Sequence, residues 1–307
     1  MRWIAVFVSL LLMAEATWAQ TSTADRETTR HDREFWRAIP KNRFVVPEGQ
    51  AVYPLLRELS GYLGSKDPEL RDDLAYTITA VWIHRQKEIS ADELNSLADE
   101  WRANLRVGIG ESGTDSVLKR SFSALCLSSL AERDSKTPFL GEQRYRELLA
   151  SALAYLKDER DLRGFDPVLG WIHATAHTAD LLAALAANAL FRIEDHARLL
   201  EAIAARLISA HEIFAYGEQD RLALAAATMA RRKDFDSAAF ERWVTALDAD
   251  DQRVWKDSPP KIELLQNFEN DSYMLRALAV DLCEGPENSG VSIRSARTAV
   301  MKVLQRR

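Results

Sequence analysis

The stretch Pro167-Val168-Leu169-Gly170-Trp171-Ile172-His173-Ala174-Thr175-Ala176-His177-Thr178-Ala179-Asp180-Leu181-Leu182-Ala183-Ala184-Leu185-Ala186-Ala187-Asn188-Ala189-Leu190-Phe191 contains no lysine, arginine or glutamate. A helix that is apolar nearly all round is a buried helix. The segment therefore predicts a central helix over 170–191, covered on every side by other elements. Its strongly polar side chains before Asn188 are His173, His177 and Asp180. Positions i, i+4 and i+7 of a helix share one face, so the three form a stripe.

Outward from this segment, apolar residues recur at helical spacing along the chain. They resolve into helix pairs at 50–63 and 68–87, 91–106 and 115–133, 142–157 and 170–191, 195–214 and 218–232, and 237–248 and 260–284, with a last helix at 291–305. Asp67 caps the second helix and Pro68 opens it. Ser90 and Glu93 have the spacing of a capping box, and Thr114 or Asp115 can cap the helix from 115. The second helix of each pair is the more apolar, as in Ala75–Ile83, Phe122–Ala131 and Leu222–Ala230. These helices begin roughly 42 to 55 residues apart, near the period of HEAT and armadillo-like arrays. No residue-level signature common to all five units stands out. The expected fold is all-α: stacked antiparallel helix pairs, as a HEAT/armadillo-like solenoid or a partly closed α/α ring.

Composition agrees. Glycine is scarce, and alanine, leucine, glutamate and arginine are abundant, which favours helix. The net charge is −6 with both signs interspersed, and no basic block exists to neutralise phosphates, so nucleic acid is a poor partner. The first residues have the three-part layout of a secretory signal: Arg2, an apolar run from Trp3 to Ala14, and Thr17-Trp18-Ala19 before a cut ahead of Gln20. The expected organisation is a signal peptide at 1–19, a linker with a short helix at 20–48, and a helical-repeat domain at 49–307. The expected location is a periplasm or the cell exterior, with no membrane span after cleavage. Cys126 and Cys283 each lie in an apolar helical pattern and read as two buried thiols. They fall on the second and fifth inner helices, too far apart in an open stack for a disulfide.

The stripe admits three readings. Two imidazoles four residues apart and a carboxylate one turn on can hold a zinc ion, with His211, Glu218 or Asp220 completing the set. The residue after His173 is Ala174, so the glutamate of the H-E-x-x-H metalloproteases is missing. Alternatively, a carboxylate near a histidine supports general-base chemistry or ligand binding, with Asp161, Arg163 and a stacking Trp171 alongside. Finally, the three can be a satisfied buried network that locks neighbouring repeats. Gly217-Glu218-Gln219-Asp220-Arg221 opens the next inner helix. Acidic residues there suit the helix dipole, and Glu218, Asp220 and Arg221 could also face the histidines. His31, His84 and His196 sit among charged residues and read as surface. No phosphate loop, nucleophile elbow or Cys–His arrangement is present.

Gly170-Trp171-x-His173-x-x-Ala176-His177-x-x-Asp180-Leu181-Leu182, followed by Gly217-Glu218-x-Asp220-Arg221-Leu222-Ala223, resembles a bacterial family known as domain of unknown function 2785. Asp161-x-Arg163-Gly164 and Asp67-Pro68-x-Leu70-Arg71-Asp72 fit as well. The resemblance implies an all-helical bacterial protein and no particular activity. The function expected from the residues is ligand or partner binding through a polar pocket on the inner helices, the ligand being a protein, peptide or glycan of the cell envelope. The alternatives are a hydrolase using His173, His177 and Asp180 on such a glycan or peptide, and an interaction scaffold with a structural His/Asp network.

Overall fold

The computed structural model describes residues 31–283 and 290–307, without the side chains at 250 and 251. The expected signal peptide lies outside the described residues. Asp32–Arg307 form one compact unit. It is all-α, with twelve described helices and one two-residue hairpin.

The helices are α1 (Arg33–Lys41), α2 (Val52–Ser60), α3 (Thr77–Arg85), α4 (Ala91–Asn104), α5 (Ser116–Lys136), α6 (Gly141–Asp158), α7 (Ala174–Ala187), α8 (Ile193–Ile208), α9 (Glu218–Ala230), α10 (Ser237–Asp251), α11 (Ile262–Asp281) and α12 (Val291–Leu304). A π-helical segment, Glu69–Tyr76, runs directly into α3. The strands β1 (Phe165–Asp166) and β2 (Gly170–Trp171) pair antiparallel just ahead of α7.

α7 lies at the centre, as its sequence demands. It packs against α5 on one side and α9 on the other, with α6 behind it. α3 continues this row beyond α5, and α11 continues it beyond α9. α6, α8 and α10 make a second row, each touching the next. Leu181, Leu182 and Leu185 of α7 are buried to 1 % exposure or less. Each such leucine contributes about 1.5–3 kcal/mol by leaving water. α1 is part of the packed unit, since Trp36 and Ile39 are buried and the helix meets the π-helical segment.

Ser90 and Glu93 form the expected capping box on α4. Asp115 stands at the start of α5 but makes no capping bond, and pairs instead with Lys66. α7 starts at Ala174 and not at 170, because Gly170 and Trp171 are spent on β2. Gly170 takes φ +71°, and a Cβ there would lie 2.9 Å from that of Pro68, so the tight turn requires glycine. Cys126 is buried as expected; Cys283 is exposed, because α11 ends at Asp281 and the apolar spacing no longer faces the core. His196 is buried, against the surface expectation. Its ring stacks on Phe191 at 5.5 Å, and its Nδ1 accepts the Asp236 N–H at 3.4 Å.

Candidate functional site

The segment 161–173 is pinned before it reaches α7. Asp161 is buried and accepts from the Gly113 N–H at 2.9 Å and from the Arg163 guanidinium at 2.6 and 2.8 Å. Beyond the β1–β2 pair, the Ile172 N–H donates to the Gly164 carbonyl and the His173 N–H to the Arg163 carbonyl. Buried Arg71, on the π-helical segment, clamps the hairpin from the far side. It donates to the Leu169 and Trp171 carbonyls at 2.6 and 3.0 Å. π-Helical turns recur at functional sites because they re-aim side chains by an extra residue.

The chain must then swing from hairpin to helix within one residue, and that residue is His173. It sits in the left-handed region at φ 53°, ψ 32°, while its carbonyl already accepts the first helical bond, from the His177 N–H. A non-glycine residue held there costs on the order of 1–2 kcal/mol. The three stripe residues therefore do not share one helix face as the spacing predicted; His173 stands just outside α7. All three nonetheless line one cavity.

That cavity, of about 590 Å³, lies between α5, α7 and α9. Ala183, Ala184 and Ala187 make a floor of small side chains. Tyr76, Glu132, His173, His177, Asp180 and Arg221 supply its polar groups. Asp180 is held by Arg221, whose Nη1 lies 2.7 Å from both carboxylate oxygens. Burial pushes the Asp180 carboxyl up, and Arg221 draws it back. Glu132 pairs with His84 at 3.2 Å, which holds its carboxyl below the ordinary value. Burial pushes the Tyr76 hydroxyl up to about 12, so it remains a neutral donor.

The histidine protons can be placed from their partners. Ser121 has one hydrogen, and its Oγ–H donates to the Ile172 carbonyl. Its oxygen must therefore accept from His177, whose Nδ1 lies 2.8 Å away. Burial, then the neighbouring His173, pushes His177 well below its ordinary value, so the ring is neutral at pH 7. A neutral ring with its proton on Nδ1 has a lone pair on Nε2. His173 is the mirror case. Its Nε2 lies 3.0 Å from the Tyr216 carbonyl and 3.6 Å from the Glu218 carboxylate, both acceptors, so Nε2 carries the proton. Burial also keeps this ring neutral.

The structure brings His173, His177, Asp180 and Arg221 together around one cavity, with Glu218 buried behind His173. Trp171 stacks on His173 at 4.8 Å. Asp220 faces away, lining a second cavity of about 540 Å³ beside α11. Asp161 and Arg163 brace the hairpin, and His211 is exposed beyond the end of α8. Among the described residues, no group of three or more His, Cys, Asp or Glu side chains is placed to hold a metal ion. Sequence reasoning missed Tyr76, Ser121 and Glu132. Ser121 left a signal, because it falls with Ser123, Ser128 and Ser129 in the apolar middle of α5. Tyr76 follows the Arg71-Asp72 pair by one helical turn and left none of its own.

A family profile described as "Protein of unknown function (DUF2785)" matches residues 105–280. That span begins just before α5, ends within α11 and contains the hairpin and most of the cavity. No curated protein matches, and no solved structure matches.

Proposed function

The chain belongs to the DUF2785 family, whose function is unknown, and from that premise we propose that it is a ligand-binding protein whose site is the cavity around His177. The observation that carries this reading is the lone pair on His177 Nε2, set in a cavity beside the Asp180–Arg221 pair. Buried polar groups are normally satisfied within the protein. Here the satisfied nitrogen is the inward one, and the acceptor left over borders the cavity. Small-molecule sites have this composition: a mostly apolar wall and a few convergent polar groups.

Binding is favoured over catalysis by the same burial. An efficient general base has a pKa near the working pH. His177 lies well below it and accepts a hydrogen bond far better than it retains a proton. The helix pairs would stack as a HEAT-like array and offer the row α5, α7, α9 as its binding face. The export signal read in the first nineteen residues makes the cell envelope the place to seek the ligand. No described helix is long and apolar enough to cross a membrane.

The test is a thermal-shift screen of a broad library of small polar molecules. Wild type is compared with His177→Gln, which alters the acceptor, and Ala184→Leu, which fills the floor. Ligands that raise the wild-type Tm and leave both variants unmoved are expected. A library with no such ligand contradicts the reading.

One observation supports a second reading, a zinc site. Both histidines spend one N–H on a protein acceptor, as metal-ligating histidines do. Asp180 would have to surrender Arg221 to join them. Metal analysis of the purified protein, with His177→Ala as control, decides it. Metal-free wild type whose Tm ignores added zinc would exclude it.

A further inference from the structure

Beside the cavity stands a feature that the polar groups do not explain. Phe165, Trp171 and Tyr216 are 41, 42 and 48 % exposed, although aromatic rings of this size ordinarily seek the core. They form one continuous ledge: Phe165 meets Trp171 at 5.1 Å, and Tyr216 meets each of them at 6.3 Å. The ledge is rigid. Arg71 clamps the hairpin, and Asp166 Oδ1 accepts the Val168 and Leu169 N–H groups, each at 2.8 Å. Gly164 lets the Tyr216 loop approach, since a Cβ there would fall 2.3 Å from the Tyr216 ring. Ring contacts of 4.8 Å and 5.5 Å lead from Trp171 to His173 and on to His177, so His173 links the ledge to the cavity that it lines.

The chemistry of the two parts restricts the occupant. The ledge rings pack against one another with centroids 5.1 to 6.3 Å apart, two contacts edge to face and one tilted, which leaves no slot between them for an organic cation. In the cavity the Arg221 charge is already matched by Asp180, and Glu132 adds a further acidic group, so an anion such as a phosphate or carboxylate finds no free positive charge. His177 Nε2 and the Asp180 and Glu132 carboxylates are all acceptors, which asks for a ligand rich in hydroxyl donors. A nucleoside phosphate offers a flat face but brings the anion that the cavity does not match. A pyranose offers an apolar C–H face for the ledge and a ring of hydroxyls for the acceptors.

We propose that the ligand is a neutral oligosaccharide that lays one sugar on the Phe165–Trp171–Tyr216 ledge and directs the hydroxyls of the next to His177 and Asp180. This rests on the reading of the cavity as a ligand site. The experiment is binding of the full chain to an array of neutral and uronic-acid oligosaccharides, with affinities of the best neutral glycan measured by calorimetry. Wild type is expected to bind neutral glycans. Trp171→Ala, exposed and so folded by circular dichroism, should bind about tenfold more weakly, and Trp171→Phe should restore most of the affinity. Preference for the acidic glycans overturns the proposal, as does unchanged affinity in Trp171→Ala. Failure to bind any glycan overturns it too. The thermal-shift screen then tells the two failures apart. His177-dependent hits of another chemistry leave the cavity reading standing, and their absence removes both.

Discussion

At the scale of single residues, the chemistry of the cavity depends on which ring nitrogen of each histidine carries a proton. Ser121 fixes that of His177, and Tyr216 with Glu218 fixes that of His173. Ser121→Ala should leave a buried His177 N–H without its acceptor, costing about 1–3 kcal/mol. Urea denaturation would measure it. Burial of neutral His177 also has a pH consequence. Its folded-state pKa lies below the 6.5 of the unfolded chain, so below pH 6.5 the unfolded state binds the extra proton and the folded state loses stability. His177→Gln removes this dependence. Between pH 7.5 and pH 5.5 the wild type should lose stability relative to the variant. A stability difference between the two proteins that stays constant with pH would show that His177 titrates normally. The cysteines provide an independent check. Exposed Cys283 should react promptly with a thiol reagent in the native protein, and Cys126 only on unfolding, since burial both hides its thiol and raises its pKa. The identities of the cavity histidines were legible in the sequence because an apolar helix made them conspicuous. Their partners were not, because Ser121 and Tyr216 lie about fifty residues away on either side and meet the histidines only through tertiary packing.

At the scale of elements, arginines join the helices of a row. Arg133 of α5 donates to the Ile83 and Gln86 carbonyls at the end of α3. Arg232, just after α9, donates to Ala186, Asn188 and Phe191 at the end of α7. Arg206 of α8 donates to Leu156 and Glu159 at the end of α6. The separations run from 41 to 50 residues, the interval of the hydrophobic pattern. One arginine among many carries no mark of such a role in the sequence until the carbonyls it meets are known. Arg120 of α5 plays a related part. It forms a buried pair with Glu159 through bonds of 2.7 and 3.0 Å, and Glu159 accepts the Arg160 and Asp161 N–H groups that start the hairpin segment. Removing one partner strands the other charge, so Arg120→Ala should cost about 3–5 kcal/mol in a denaturation experiment. The existence and order of the helices were legible, because the apolar period is a local property, while ends such as the start of α7 were not. The hairpin was not. Two residues per strand are too few for an alternating pattern, and Gly170 reads equally well as the start of a helix.

At the scale of the whole molecule, the cavity belongs to no single element. The floor comes from α7 and the walls from α5 and α9. The clamp comes from a π-helical segment about a hundred residues before α7. The packing of α5, α7 and α9 holds these parts around one cavity. The all-α class followed from composition and periodicity. The meeting of the Asp67–Asp72, Asp161–Gly164, Gly170–Asp180 and Gly217–Arg221 stretches at one place did not, since nothing in their spacing brings them together. The claim common to every scale is that His177 reaches the cavity neutral, protonated on Nδ1 and unprotonated on Nε2. Long-range proton–nitrogen NMR of the histidine side chains reads this directly, with His173→Gln and His177→Gln spectra giving the assignment. At pH 7 the account predicts a neutral Nδ1–H ring for His177 and a neutral Nε2–H ring for His173. A charged His177, or one carrying its proton on Nε2, would contradict it.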